Sequence, residues 1–233
     1  AGAGHKVCIY EKNEKLGKKI YITGKGRCNV TNACDTEELF RNVVHNAKFL
    51  YSSFYTFTNT DVMDLIEKHG CPLKTERGGR VFPVSDKSSD VIHALTVALR
   101  ELGVEVELHE EVSGVLAEDG HVSGVRLKRG QKVVPADAVI VTTGGLSYPS
   151  TGSTGDGYRF ATELGHTITE LSPALVPFEA KEAVCKDLQG LSLRNISVQI
   201  RNGKKVLYEE FGEMLFTHFG VSGPVLLSAS SYV

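Results

Sequence analysis

The chain has 233 residues, of which 41% are hydrophobic and 23% charged, and its formal net charge is -2. This length suits one large domain or two modest ones, and the composition is that of a soluble globular protein. The near-neutral charge predicts no general attraction to nucleic acid, and no apolar run reaches the roughly 18 residues of a membrane span. Five cysteines at irregular spacing argue against a disulfide scaffold and favour a reducing compartment. We therefore expect the protein to be cytoplasmic. No Cys/His set has the spacing of a zinc site, so no metal is predicted.

A short strand that ends in an acid is predicted near the start, followed by a basic, glycine-rich loop. Val7 and Ile9 favour a buried parallel strand, and Glu11 stands at its carboxyl end. Dinucleotide-binding folds place an acid there to bind ribose hydroxyls. Residues 12–27 carry six cations against one acid, and a glycine-rich backbone lets its amides face an anion. A solvated, lysine-rich turn explains the same residues equally well.

The residues before this strand lack a phosphate-binding turn. A Gly-Ala-Gly run at 2–4 is typical of a helix C-terminus. In a dinucleotide fold the glycine fingerprint precedes the acid by about 20 residues, which places it before residue 1. We expect the fingerprint to belong to the protein but to lie outside this sequence.

The remaining elements follow from periodicity, caps and breakers. In chain order they are a helix from Asp35, a helix capped by Thr60, an edge strand over 80–83, a helix from Ser85 or Ser88 to Leu102, a strand over 104–108, a hairpin over 112–127 turned at Asp119-Gly120, a strand over 139–141 and a helix capped by Asp156. The edge assignment rests on Pro83, which cannot donate to a ladder. Past Pro173 short alternating runs turn at Asn202-Gly203, so a second, mostly β domain is predicted from about residue 170.

Four stretches resemble the BaiN/YhiN-like family of FAD-dependent oxidoreductases: 26–32, 79–83, 143–158 and 212–224. The resemblance spans nearly the whole chain. It implies an α/β fold, with a Rossmann-like FAD-binding domain of the glutathione-reductase type, partial here, and the start of an inserted β-barrel domain. The expected domains are 1–170 and 171–233. Two family elements, the N-terminal glycine turn and a C-terminal glycine-rich segment, are not in this sequence, so we expect an internal piece of a longer chain.

The resemblance also implies a set of cofactor contacts. The expected FAD-binding residues are Glu11, Lys12, Lys19, Gly24, Lys25, Gly26, Arg27, Cys28, Asn29, Val112, Thr143, Gly144 and Gly145. Glu11 would hold the adenosine ribose with Lys12 beside it, and the backbone of Val112 would touch the adenine. Lys19 and residues 24–29 would follow the pyrophosphate towards the flavin, and residues 143–145 would close over the cofactor.

The implied function is FAD-mediated hydride transfer from NAD(P)H to a small acceptor such as an activated alkene, or amine oxidation. Nucleic acid is not expected as a partner. The sequence offers Tyr148, Tyr158 and His218 as candidate acids but ranks none of them. Two alternatives stay open. One is a dithiol–disulfide reductase that uses Cys28 and Cys34, and the other is a non-catalytic FAD-fold binding module.

Overall fold

The computed structural model describes all residues, 1–233, and their contacts divide into two units. The first unit comprises Ala1–Arg41 and Lys48–Ile168, and the second comprises Asn42–Ala47 and Thr169–Val233. No helix combines the length and the apolar character needed to cross a membrane.

A parallel strand pair organises the first unit. Strand β1 (Cys8–Glu11) pairs in parallel with β5 (Glu105–Leu108), so that Glu11 lies opposite Leu108 at the carboxyl ends of both strands. The predicted strand before the basic loop and the predicted strand over 104–108 are therefore both present. Parallel pairing of this kind is the core of a doubly wound α/β fold, in which ligands bind outside the carboxyl ends of the strands.

The other elements of the first unit are α1 (Lys18–Ile22), β2 (Thr31–Asn32), α2 (Thr36–Arg41), α3 (Tyr51–Thr56), α4 (Asn59–Lys68), β3 (Leu73–Thr75), β4 (Arg80–Pro83), α5 (Ser88–Glu101), β6 (Val112–Glu118), β7 (His121–Leu127), β8 (Val133–Pro135) and α6 (Asp156–Glu163). Strands β6, β7 and β8 form an antiparallel sheet in that order, with the predicted turn at Asp119-Gly120. The helix from Asp35 is also confirmed, because the Asp35 side chain accepts from the backbone N–H of Glu38.

A small sheet of order β2-β4-β3 corrects the edge-strand prediction, because β4 is its central strand. The two residues of β2 pair only with Arg80 and Val81, while Pro83 lies opposite Leu73 of β3. The missing N–H of the proline therefore falls beyond the reach of β2 and costs no ladder bond.

The predicted cap of α4 is also corrected. Thr58, not Thr60, closes the helix in a reciprocal capping box with Asp61. Either threonine can cap a helix, but only Thr58 has an acid three residues later to complete the box.

The apolar core of the first unit lies beneath the glycine-rich loop. Its buried members come from that loop, from α4 and the turn that follows it, and from α5; they are Cys28, Ile66, Cys71, Val91 and Ala94. Ile20 of α1 and Val30 pack against them. Cys28 anchors the loop in this core, while Gly24, Lys25 and Asn29 of the same loop are exposed.

The strand predicted over 139–141 does not form. The parallel sheet of the first unit contains only β1 and β5, and neither pairs with residues 139–141. Ile140 is 88% exposed. An apolar, β-branched run satisfies the propensity for a strand, but without a neighbouring strand its backbone groups cannot form a ladder.

The second unit is an antiparallel sheet with two short helices. Its elements are β9 (Phe178–Glu179), α7 (Val184–Asp187), β10 (Ser192–Asn202), β11 (Lys205–Thr217), β12 (Gly220–Ser222) and α8 (Pro224–Ala229). The strand order is β10-β11-β12-β9. The predicted hairpin is confirmed, but it turns at Gly203 and Lys204, one residue later than predicted, because Asn202 still pairs with Lys205. Val225, Leu226 and Ala229 bury α8.

Candidate functional site

Glu11 stands at the carboxyl end of β1 with its carboxylate already oriented. The backbone N–H and the Nδ2 of Asn13 both donate to Oε1 of Glu11 over 2.8 Å. The backbone of Glu110 donates to the Glu11 carbonyl, and the backbone of His109 donates to that of Asn13. These bonds hold Oε1 and leave Oε2 available for a ligand. The bonds from His109 and Glu110 fix the chain just before β6, which begins at Val112, to the end of β1.

Lys12 joins the end of β1 to the glycine-rich segment of residues 143–158. Its Nζ lies 2.7 Å from Oδ2 of Asp156 and 2.6 Å from Oγ1 of Thr154. Burial by itself raises the pKa of Asp156, but the hydrogen bonds from Lys12, Thr154 and Arg159 outweigh it and lower the pKa below its ordinary value. The prediction that Asp156 caps α6 is wrong, because Gly155 is the N-cap and Asp156 is the first residue of the helix. The Asp156 carboxylate binds Lys12 and does not cap the helix.

Lys19 makes a second link to the same segment, because its Nζ donates to the Ser147 carbonyl over 2.7 Å. The predicted cofactor glycines pack closely here. A Cβ on Gly144 would stand 2.7 Å from Oγ of Ser153, and a Cβ on Gly145 would stand 3.3 Å from the Tyr158 hydroxyl. A Cβ on Gly157 would likewise meet Oγ1 of Thr143 at 3.0 Å. These glycines are explained by contacts within the protein, whatever else approaches them.

The loop from Thr23 to Asn29 closes on itself. Gly24, Lys25, Gly26 and Cys28 all have positive φ, and Arg27 between them is right-handed. The backbone N–H groups of Arg27 and Cys28 donate to the carbonyls of Gly24 and Thr23. An alternating right- and left-handed backbone can form an anion nest, but here those two amides are satisfied by the loop itself. A Cβ on Gly24 would lie 2.8 Å from the backbone nitrogen of Asn29, which explains the glycine.

Arg27 is bound by two acids that follow strands β3 and β4 of the neighbouring small sheet. Its Nε donates to Asp86 over 2.8 Å, and both terminal nitrogens donate to Glu76. The guanidinium carbon lies 4.1 Å from the ring centroid of Phe82. The hydrogen bonds to Glu76 and Asp86 raise the pKa of Arg27. In return, Arg27 lowers the pKa of the Glu76 carboxyl. Hydrogen bonds from Lys74 and Arg27 lower the pKa of the Asp86 carboxyl.

Cys28 is a core residue, only 6% exposed. Burial raises the pKa of its thiol, although a hydrogen bond with Thr23 opposes the shift. Cys34 is half-buried, and both cysteines are free thiols. A thiol with a raised pKa is a poor nucleophile at neutral pH because the thiolate is the reactive form.

The other predicted residues lie around this loop. Lys25 is exposed on a left-handed backbone. Asn29 is exposed, and its amide, oriented by its neighbours, donates to the carbonyls of Thr31 and Val81. Of the three candidate acids, Tyr148 is 67% exposed with positive φ, Tyr158 lies beside Gly145, and His218 belongs to the second unit, where it packs edge-on against Phe219. The structure therefore gathers Tyr148 and Tyr158 near residues 143–147.

The geometry fits part of a dinucleotide. The oriented carboxylate of Glu11, at the carboxyl end of a parallel strand, suits a ribose with its two adjacent hydroxyls. The cations fit less simply as phosphate ligands, because Lys12 and Arg27 already neutralise acids of the protein. The residues present therefore fit the adenosine end of FAD directly. Along the path expected for the rest of the cofactor, the loop of residues 24–29 presents mainly its backbone, since Arg27 is paired with acids of the protein.

Several of these functional contacts were missed by sequence reasoning. Asn13 orients Glu11 and lies only two residues after it. This contact could have been predicted, because Asn side chains commonly form hydrogen bonds with groups nearby in sequence. Glu76, Asp86 and Ser153 are brought in by the tertiary fold. No spacing in the sequence links them to residues 27 or 144.

Comparison with known families identifies the chain's relationship. A family profile described as "HI0933-like protein Rossmann domain" matches residues 1–227. The chain is 30% identical over 230 residues to a ribosomal RNA dihydrouridine synthase of Escherichia coli K12, covering 99% of this chain and 56% of the relative. It is 31% identical over 229 residues to a 3-dehydro-bile acid delta(4,6)-reductase of Clostridium scindens, covering 97% and 54%. The chain thus spans about half the length of these curated relatives.

Solved structures agree on the fold. A flavocytochrome c3 fumarate reductase in an open conformation aligns with a TM-score of 0.56 at 19% identity, over 83% of this chain and 43% of that one. A quinol-fumarate reductase with menaquinol aligns with a TM-score of 0.53 at 18% identity, over 84% and 40%. Together with the family match, these similarities establish a Rossmann-like α/β fold, as the resemblance predicted.

Proposed function

This chain belongs to the HI0933-like Rossmann family, and on that premise we propose that the protein is an FAD-dependent oxidoreductase that reduces a carbon–carbon double bond conjugated to a carbonyl group. The observation that carries the proposal is the carboxylate of Glu11, oriented by Asn13 at the carboxyl end of β1. It stands where a dinucleotide cofactor is held by its ribose in folds of this type.

The names of two relatives suggest the bond that reacts. A ribosomal RNA dihydrouridine synthase saturates the ring double bond that uridine has and dihydrouridine lacks. A 3-dehydro-bile acid delta(4,6)-reductase acts on ring double bonds of a 3-oxo steroid. Their substrates differ greatly in size and charge, but the reacting group is alike: an alkene whose electrons are withdrawn by a carbonyl. Such an alkene accepts hydride at one carbon and a proton at the other.

The residues of the first unit would share the work of holding the cofactor. Glu11 would accept hydrogen bonds from the adenosine ribose, and the backbone near Val112 would border the adenine. The loop of residues 24–29 and the segment of residues 143–145 would shape the path towards the flavin. When bound, FAD supplies the hydride transfer, and we propose NAD(P)H as the source of the electrons. The chain's own task would be to orient the reactants and to exclude water.

The dithiol–disulfide alternative is less well supported. It needs a thiolate near neutral pH, whereas Cys28 is buried in the core and burial raises the pKa of its thiol. Its partner would be Cys34, with five residues between the two cysteines.

Spectroscopy of the full-length protein tests the proposal. We expect absorption peaks near ~370 and ~450 nm that bleach under anaerobic NADH or NADPH, as bound flavin does. The reduced protein should then be reoxidised by a conjugated enone or by a uridine-containing RNA oligonucleotide, but not by the saturated analogue of either. Failure of the protein to retain flavin at saturating FAD would contradict the enzyme assignment. Reoxidation by a disulfide alone would favour the dithiol reaction.

A further inference from the structure

The guanidinium of Arg27 has no free edge. Nε and one terminal nitrogen lie 2.8 and 2.7 Å from Oδ1 of Asp86, and Glu76 accepts from both terminal nitrogens. One planar face lies over the ring of Phe82, with 4.1 Å between the guanidinium carbon and the ring centroid. Bidentate contacts and ring stacking are the interactions that distinguish arginine from lysine.

The partners of Arg27 all lie in or shortly after strands of one neighbouring sheet. Glu76 follows β3, Phe82 lies in β4, and Asp86 follows β4 in the turn before α5. Asp86 also binds Lys74, whose Nζ lies 2.7 Å from Oδ2. Two cations therefore face two carboxylates, and the charge of Arg27 is neutralised within the protein.

The same sheet also holds the loop on the other side of Cys28. The backbone of Val30 donates to the Val81 carbonyl over 2.8 Å, and the Asn29 amide reaches the same carbonyl. The loop is thus attached to the sheet at Arg27 and again at residues 29–30. The residues of positive φ, 24–26 and 28, lie just before the first attachment and between the two. A backbone in this conformation persists only where its surroundings hold it.

We propose that Arg27 is a positioning residue: it fixes the loop of residues 23–29 against β4 through Glu76, Asp86 and Phe82, and it does not itself bind the pyrophosphate. This inference rests on the proposed function, since the loop so fixed is the one that would face FAD. Through it, Glu76 and Asp86 contribute to cofactor binding without touching the cofactor.

The two roles of Arg27 predict opposite effects at its partners. If Arg27 bound phosphate, Glu76 and Asp86 would compete for it, so Glu76→Gln and Asp86→Asn would tighten FAD binding or leave it unchanged. If Arg27 positions the loop, each change weakens FAD binding by about tenfold, the size of a coupling within one charged network. The double variant Arg27→Met/Glu76→Gln should then bind no more weakly than Arg27→Met alone.

The experiment is an FAD titration of full-length apoprotein by quenching of flavin fluorescence. Glu118→Gln serves as a control, because Glu118 is an exposed carboxylate at the end of β6, outside the network. Urea unfolding of each variant separates a local effect from global unfolding. The positioning role predicts the tenfold losses in variants that lose little stability and remain fully folded under the conditions of the titration. Binding by Glu76→Gln and Asp86→Asn at wild-type strength or tighter would overturn it.

A second measurement needs no cofactor. Lys25 is exposed within the loop, so trypsin can cut after it when the loop opens. The proposal predicts that Glu76→Gln and Asp86→Asn apoproteins are cut at Lys25 several times faster than wild type, while Glu118→Gln is not. Equal rates would overturn the proposal. If wild type binds no FAD, the proposed function fails, and the cleavage rates still decide whether Arg27 holds the loop.

Discussion

The sequence predicts cofactor contacts both at the end of β1 and in the loop of residues 23–29, but the two regions are built differently. At the strand end, a side chain is held ready: Asn13 fixes one oxygen of Glu11 and leaves the other for a ligand. In the loop, the amides of Arg27 and Cys28 and the Arg27 side chain are all satisfied within the protein. The end of β1 therefore has a carboxylate oxygen that can accept hydrogen bonds from a ligand, whereas the loop has a fixed backbone conformation whose Arg27 and Cys28 donors are already used.

This difference shows that charge near glycine does not by itself make an anion site. Six cations lie between residues 12 and 27, yet Lys12 binds Asp156 and Arg27 binds Glu76 and Asp86. These ion pairs use the cations to join segments distant in sequence. Four variants separate the two regions.

Gly24→Ala should give the largest effect, because it tests the shape of the loop. Its Cβ would stand 2.8 Å from the backbone nitrogen of Asn29, at φ 55. We expect a loss of about 3 kcal/mol in the free energy of unfolding, measured in urea. Gly26→Ala is the matched control, since φ is 86 there but the nearest atom would be 3.9 Å away. It should lose about 1 kcal/mol, and equal losses would contradict the packing argument.

Glu11→Gln tests the polar group at the strand end. The amide can still accept from Asn13, but it lacks the charge that strengthens bonds to ribose hydroxyls. We expect FAD to bind about 30-fold more weakly, the equivalent of about 2 kcal/mol, with the unfolding midpoint unchanged. Glu14→Gln, which removes an exposed carboxylate paired with Lys18, should bind FAD as wild type does. A similar loss in both variants would show that general charge matters more than position.

Asp156→Asn tests the link between the two regions and has a defined pH dependence. Net hydrogen bonding lowers the pKa of Asp156 in the folded protein, so its contribution is present above the unfolded pKa and is lost as pH falls through the folded one. The variant should be about 1 kcal/mol less stable than wild type from pH 7 to about 5. The difference should shrink below about pH 4. Urea unfolding at several pH values measures it, and a difference that widened in acid would contradict the ion pair.

Cys34→Ser should have the smallest effect, because the chemistry is assigned to the flavin and not to a dithiol. The flavin turnover of the variant should equal that of wild type. Alkylation followed by mass spectrometry should show Cys28 modified more slowly than Cys34 at neutral pH, because the Cys28 thiol is buried and its pKa raised. Loss of turnover in Cys34→Ser would restore the dithiol alternative.

Local signals in the sequence were sufficient for most elements and for the position of Glu11 at the end of β1. Strand β1 with its terminal acid follows from a short β-branched run, and the two hairpins follow from alternating patterns and turn residues. Prediction was wrong where the outcome depended on distant partners. Residues 139–141 have strand propensity but no strand beside them, and Pro83 ends a central strand because β2 is only two residues long. The network around Arg27 was hidden for the same reason, since Glu76 and Asp86 lie 49 and 59 residues away.

Equilibrium binding of FAD to the full-length apoprotein tests the central claim most directly. The account predicts saturable binding of one FAD per chain, with the oxidised flavin spectrum, and a weaker affinity in Glu11→Gln than in Glu14→Gln. Folded apoprotein that binds no FAD, or that binds it equally well with and without the Glu11 carboxylate, would contradict the placement of the cofactor at the end of β1.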